Sequence, residues 1–389
     1  MGREDWAASV VEKIKKKYPE VVKRNSGKIP YTAVNGTFDD QTDKDIGWWT
    51  NGFYGGILWQ LYHLTGEELY REKAEELEDK LDAVLMNYNS MDHDSGFRFL
   101  VTAVADYRIS GKKESKNRGL LAAANLAGRF NPQGNYIRAW NDENGQNAGW
   151  AIIDCMMNLP LLYWASEMTN DPRFYQIAVR HADTAMKYFI REDGSARHIV
   201  EFDPHKGNFV QDFGGQGYAQ GSSWTRGQAW ALYGFTLSYI YTGNPEYLDT
   251  ARRVAAYFIA NIPESGLIPV DFRQPKEPAV EDSCAASIAA SGLLLLSKVL
   301  SGQQELPGGH RNRYTQCQEQ EAGVAEDAAV KLLKALDEKR CSWDAETDEL
   351  VERCTAAYHD KQREFPIIYG DYYFIEAILR LTGEELFVW

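Results

Sequence analysis

Six times along this 389-residue chain an apolar helical stretch ends in a small polar residue, usually followed by Gly, before a charged segment begins. The six turns are Thr65-Gly66, Ser110-Gly111, Thr169-Asn170, Thr242-Gly243, Ser301-Gly302 and Thr382-Gly383. They stand about 63 residues apart on average, the length of two ordinary helices and their connections. A recurrence on this scale marks a repeated supersecondary unit, here a helical hairpin. A polar residue lies 11 to 19 positions before each turn: Asn51, Asp94, Asp154, Arg226, Asp282 and Asp371. Six helices starting at one level would carry these residues to one rim.

Two helix types alternate along the chain. The stretches Gly55–Leu64, Phe97–Ile109, Ala151–Met168, Ala229–Tyr241, Ala285–Leu300 and Tyr372–Leu381 are apolar nearly all round, which places them in an interior. Glu67–Leu85, Lys113–Phe130, Arg173–Ile190, Glu246–Ile262 and Glu326–Leu336 are amphipathic, as outer helices are. Pro172 and Pro245 follow two of the turns and suit a first helical position. Only Glu384–Trp389 remain after the last turn, too few for an outer helix. The amphipathic N-terminal stretch Asp5–Tyr18 is therefore expected to fill that slot and close an all-α (α/α)6 toroid.

The whole chain, 1–389, exceeds the usual size of a single core, yet no linker interrupts it. A ring of hairpins resolves this as one domain. The polar stretch 302–323 reads as a surface insertion, and Ala196–Phe202 with Gly266–Phe272 as a small hairpin over the rim.

Net charge of −14, from 42 basic and 56 acidic residues, argues against nucleic acid or an anionic membrane as partner. It leaves room for a small anionic substrate. Five cysteines without a Cys-x-x-Cys pair make a disulfide framework or a zinc site unexpected. The charged N-terminal stretch has no apolar core of signal-peptide length, so the expected compartment is the cytoplasm. Nothing in the sequence speaks to oligomeric state.

Asp154 stands out because its run, Ala151-Ile-Ile-Asp-Cys-Met-Met-Asn158, is apolar on every side of a helix. Burying a carboxylate is costly and raises its pKa, which suits a proton donor. The plainer reading is a core Asp satisfied by an Arg or a helix end. Asp94, just before an inner helix, reads either as an N-cap or as a partner of Asp154 at the same level. Arg226 near a helix start opposes the macrodipole and calls for an anion, either a structural Asp or a substrate carboxylate. His198 lies on a rim segment, where a His is usually inert. Trp49, Phe53, Trp140, Trp224 and Trp230 recur at helix starts; such clusters form cores, or the flat walls of a sugar cleft. Gly214-Gly-Gln-Gly217 follows no strand and carries no Lys-Ser/Thr, so it is no phosphate cradle.

Together the stretches Trp48–Gly56, His93-Asp-Ser-Gly-Phe97, Ile153–Pro160, Gln216–Trp230, Asp282–Ile288 and Tyr369–Phe374 resemble the unsaturated glucuronyl hydrolases of glycoside hydrolase family 88. The Ser-Ser-Trp-x-Arg-Gly-Gln-Ala-Trp and Ile-Asp-x-Met-Met-Asn pieces carry most of the likeness. The resemblance implies release of a 4,5-unsaturated uronic acid from lyase-generated oligosaccharides, by hydration of the sugar's vinyl ether. It implies Asp154 as general acid/base, assisted by Asp94. It implies His198, Gln216 and Arg226 at the unsaturated uronide, and Trp49, Phe53, Trp140 and Trp230 as aromatic walls. It calls for no metal or cofactor. Relatives that favour sulfated substrates carry Ser and Lys before Gly-Asp-Tyr; this chain reads Ala357-Tyr-His-Asp-Lys-Gln362, which implies weak use of sulfated sugars. An inverting glycosidase using Asp94 and Asp154 on a saturated glycan, and a silent sugar-binding scaffold, are the alternative readings.

Overall fold

A computed structural model describes residues 2–142, 144–304 and 317–389. Its twelve principal helices fall in chain order into outer and inner partners. The outer set is α1 (Arg3–Arg24), α3 (Glu68–Lys80), α5 (Lys113–Gly128), α7 (Pro172–Tyr188), α9 (Pro245–Ala260) and α11 (Cys317–Lys339). The inner set is α2 (Phe53–Thr65), α4 (Ser95–Phe99 and Ala105–Ser110, joined by a π-helical turn at Leu100–Val104), α6 (Leu159–Thr169), α8 (Thr225–Thr242), α10 (Ser283–Leu300) and α12 (Ile368–Thr382).

Each inner helix packs on the next, and α12 returns to α2, so the inner ring closes. The outer helix α1 packs on α12, as the missing-partner argument requires. Its buried stripe Val10, Ile14, Tyr18 and Val21 follows helical spacing, while Glu12, Lys16 and Glu20 lie off it. The chain is an (α/α)6 toroid.

The six turns are real helix ends. Gly66, Gly111, Gly243 and Gly383 cap their helices in the left-handed conformation, as Asn170 does, and Gly302 also has positive φ. That region excludes most side chains, which explains the punctuation.

The far end of the ring is filled by the C-terminal segment. Trp389 is fully buried and stacks on Tyr373, with ring centroids 5.9 Å apart, and it donates to Glu376. Glu376 also accepts from Tyr233 and Tyr372. A buried carboxylate survives only when hydrogen-bonded in this way. The helix α10 is apolar enough to cross a membrane by length and composition, but 94% of it is buried inside the ring, so it is a core helix.

Three expectations need correction. The run Ala151–Met168 is not one helix: β5 (Trp150–Ile152) and a 3-10 turn (Ile153–Met157) precede α6. The rim hairpin is a three-stranded antiparallel sheet of β5, β6 (Ile199–Phe202) and β7 (Phe209–Phe213). These follow two short ribbons, β1 (Ala33–Val34) with β2 (Thr37–Phe38), and β3 (Phe130–Asn131) with β4 (Tyr136–Ile137). Gly266–Phe272 does not join that sheet; Pro269 bridges Glu281 and Asp271 bridges Trp224. Of the expected insertion, residues 317–323 are the first turns of α11, held where Ser297 Oγ donates to the Ala322 carbonyl. Residues 305–316 lie outside the described residues.

Candidate active site

Strand register sets the position of the central carboxyl. Ile152 pairs with Ile199, and the Ile153 amide donates to the His198 carbonyl, so the next residue, Asp154, emerges beside the His198 side chain. Asp154 Oδ1 lies 3.8 Å from His198 Nε2, beyond hydrogen-bond length, and has no hydrogen-bond partner. Its side chain keeps 15% of its surface open.

Burial pushes the Asp154 pKa up to about 7, and the Asp94 charge adds to the rise; His93 and Arg226 oppose it. His198 is pushed the other way, to about 3, by burial and then by Arg226. The Gln216 amide donates to its Nδ1 at 3.0 Å, so the neutral ring carries its proton on Nε2, facing Asp154. This approach requires Gly215, with φ +57°, because a Cβ there would stand 1.9 Å from His198 Nδ1. An ordinary His beside Asp154 would become cationic and draw off the carboxyl's proton. Here it stays neutral, and Asp154 remains an acid.

Asp94 does not cap α4. Asp92 serves that start instead, accepting from the Asp94 amide and from Arg98 Nη2. Asp94 is free for other partners: His93 Nε2 at 3.3 Å and Asn158 Nδ2 at 3.4 Å. Burial works to raise its pKa, but His93, then Arg98 and Asn158, outweigh burial and hold Asp94 below the ordinary carboxylate value. One carboxyl of the pair is thus set to be charged and the other to hold its proton, the division that acid–base sites use.

Arg226 begins α8 with its side chain 1% exposed. Its Nε donates to Asp282 Oδ2 at 3.3 Å, and its Nη2 to Gln216 Oε1 and the Thr355 carbonyl, each at 3.2 Å, and to the Ala356 carbonyl. Nη1 has no hydrogen bond among the described residues. The guanidinium lies over Trp224, 4.4 Å from the ring centroid, and Trp224 packs against His198. Of the two partners weighed for Arg226, the structural Asp is present as Asp282, and Nη1 is left without one among the described residues.

Trp49 is half-buried and packs on Phe97 and Tyr369, with centroids 5.4 and 5.0 Å away. Trp140 is half-buried, its ring edge-on to His93 at 6.4 Å. Phe53 and Trp230 are fully buried and lie one layer deeper, both against Phe97. They present no face to a cleft; aromatic spacing alone does not tell a wall from the layer that supports it. Asn51 and Asp371, at the same level of the repeat, are structural. Asn51 donates to the Asp45 and Ile46 carbonyls, and Asp371 accepts the Leu350 and Val351 amides.

Among the described residues, Asp282, Cys284 and Cys354 bring three metal-type ligand atoms within 4.8 Å of one another. Asp282 Oδ2 is committed to Arg226, and Oδ1 to the Cys284 and Thr355 amides. A cation there would face the Arg226 guanidinium, so the cluster is the N-cap of α10 and the anchor of Arg226.

Sequence reasoning gave His93, Asn158 and Asp282 no role. The signal for His93 was its place next to Asp94. For Asn158 the signal is its place in a quoted motif, and for Asp282 its place in a quoted motif and among the six polar residues expected at the rim.

Residues 13–298 match the model of Glycosyl Hydrolase Family 88. The chain belongs to that family. This family 88 chain is 37% identical over 350 residues to an unsaturated glucuronyl hydrolase of Bacillus sp. (strain GL1), covering 88% of this chain and 87% of the relative. It is 31% identical to an unsaturated chondroitin disaccharide hydrolase of Streptococcus pyogenes serotype M1, with 85% and 80% coverage. The crystal structure of the Bacillus sp. GL1 unsaturated glucuronyl hydrolase superposes with a TM-score of 0.86 at 32% identity, covering 95% of this chain and 96% of that one.

The raised pKa of Asp154 carries a stability consequence. Between the ordinary Asp value and about 7 the folded family 88 chain holds a proton that the unfolded chain has lost. Its stability contribution therefore falls as pH rises. Asp154→Asn does not titrate. Its stability advantage over wild type should grow by about 1.4 kcal/mol per pH unit from pH ~4 to ~7, level off above, and reach about 4 kcal/mol. Paired denaturant melts across that range check this; a pH-independent difference would remove the buried-acid assignment.

Proposed function

We propose that this family 88 enzyme is an unsaturated glucuronyl hydrolase, releasing 4,5-unsaturated glucuronic acid from the non-reducing end of glycosaminoglycan-type oligosaccharides. The observation that carries the reading is a carboxyl with a pKa near 7, unpaired and next to a neutral His. The names of its relatives support the substrate class.

In the proposed reaction Asp154 gives its proton to C4 of the enol ether, and positive charge develops at C5 and the ring oxygen. A water adds its oxygen at C5 and returns a proton to the Asp154 carboxylate, restoring the acid. The resulting hemiketal collapses, opening the ring and expelling the leaving sugar. Asp94 holds a negative charge beside the developing cation, His198 Nε2–H orients water or a hydroxyl, and Arg226 Nη1 takes the uronate. Trp49 and Trp140 line the approach. No step calls for a metal or cofactor, and a cytoplasmic setting belongs to the same proposal.

The reading is tested by following ultraviolet absorbance with lyase-generated disaccharides, because hydration destroys the absorbing double bond. Turnover of a saturated glycan without loss of absorbance would favour an inverting glycosidase instead. Asp94 argues against that alternative, since His93 and Asn158 engage it on both oxygens.

The same panel tests sulfation preference. The loop bearing Asp360 is tied to the site, as the Tyr358 amide donates to the Gln216 carbonyl, and Asp360 is exposed on it. A carboxylate facing a sulfate is repelled. The expected result is a lower kcat/KM on sulfated than on unsulfated chondroitin disaccharide, with Asp360→Ser narrowing the gap. A higher value on the sulfated sugar would refute it.

A further inference from the structure

Behind Asp94 and Asp154 three buried side chains have no part in the proposed chemistry: His93, Cys155 and His181. His93 Nδ1 and His181 Nε2 are buried without a hydrogen-bond partner among the described residues, and Cys155 is the side chain whose interactions reach both imidazoles. We propose that His181, Cys155 and His93 form a directed hydrogen-bond line from the Ile137 amide to Asp94, which makes His93 and Cys155 positioning residues of the catalytic pair.

The direction follows from one backbone group. The Ile137 amide in β4 can only donate, and it donates to His181 Nδ1 at 2.9 Å. His181 must then carry its own proton on Nε2, directed at the Cys155 sulfur. With that sulfur accepting, the thiol hydrogen is left for His93 Nδ1. His93 in turn carries a proton on Nε2, 3.3 Å from Asp94 Oδ2. Moving the thiol proton onto His93 leaves the last link unchanged, because Nε2–H still points at Asp94. A group on the outer face of the site thereby fixes which ring nitrogen meets the carboxylate, the role such partners play for His in metal and triad sites.

The surrounding charges agree. Burial acts to lower the His93 pKa, but Asp94 and then Cys155 raise it well above the ordinary value. Burial acts to raise the Cys155 pKa, yet His181 and His93 bring it down to about 7. The other ionised groups facing the line are committed elsewhere: Arg98 to Asp92 and the Gly47 carbonyl, and Arg129 to the Met91, Arg138 and Ala139 carbonyls and to Asn141. On the cleft side stand the Arg226 cation, the neutral His198 and the protonated Asp154. Asp94 raises the Asp154 pKa, so an Asp94 carboxylate held in place keeps the acid protonated.

The catalytic meaning of the line rests on the hydrolase reading; its existence does not. The test compares Cys155→Ser, which can still accept and donate, with Cys155→Val, which fills a similar volume and does neither. On an unsaturated disaccharide, Cys155→Ser is expected to keep kcat within about threefold. Cys155→Val is expected to lose roughly 10-fold or more in kcat at unchanged KM, with the alkaline limb of its pH profile displaced. Wild-type kcat and pH profile in Cys155→Val, or equal losses in both variants, overturn the proposal. Nitrogen-15 NMR of the imidazoles in the wild-type protein needs neither substrate nor variant. It should show Nε2–H on both His181 and His93, and a His93 protonated on Nδ1 alone overturns the line even if no substrate is turned over.

Discussion

Asp154→Asn is expected to fold and to lose on the order of 10²–10⁴ in turnover of an unsaturated disaccharide, with KM little changed, the usual worth of a positioned acid. Asn has the shape of the protonated carboxyl and cannot release its hydrogen to carbon. Below pH ~7 the wild-type group is largely protonated, so wild-type kcat should be flat on the acid side of this group's titration and fall tenfold per unit above about 7. The variant's residual rate should lack that limb. Steady-state rates across pH 5–9 provide the check. Near-wild-type turnover in Asp154→Asn would remove this residue from the chemistry.

Arg226→Met should affect binding and folding together. If Arg226 takes the uronate, losing a charge-assisted contact costs about 1.5–3 kcal/mol, or roughly 10–100-fold in KM. Folding suffers separately, because Asp282 is fully buried and loses its cationic partner. Breaking such a pair costs about 3–5 kcal/mol. Burial already raises the Asp282 pKa, with Arg226 working against it. Without Arg226 the carboxyl takes up a proton more readily, so the folding deficit should deepen as pH rises. Adding Asp282→Asn separates the two effects. Chemical denaturation of the double variant should recover most of the stability while KM stays high. Recovery of both would assign Arg226 a purely structural role.

The ring was legible because six helix ends need a left-handed residue, and that need writes Gly or Asn into the chain at a readable spacing. Asp154 was legible because a lone carboxyl in an apolar run is costly anywhere. Its local backbone was not. Ile152 and Ile153 fit a strand as well as a buried helix, and only pairing with β6 decides between them. The depth of Phe53 and Trp230 was hidden for a related reason, since a wall and its supporting layer share one composition. The line through Cys155 joins residues from three separate elements, and no local pattern announces it. The start of α11 was missed because its Gln and Gly content resembles a loop, while packing against α10 makes it a helix.

The way α1 closes the ring has a consequence for synthesis on the ribosome. Its apolar stripe at Val10, Ile14, Tyr18 and Val21 rests on α12, which emerges roughly 340 residues later. At about 5–20 residues per second, that stripe waits roughly 20–70 s for its partner. Through that interval the newborn chain carries a sticky amphipathic segment without its partner, a target for a chaperone until the last inner helix arrives.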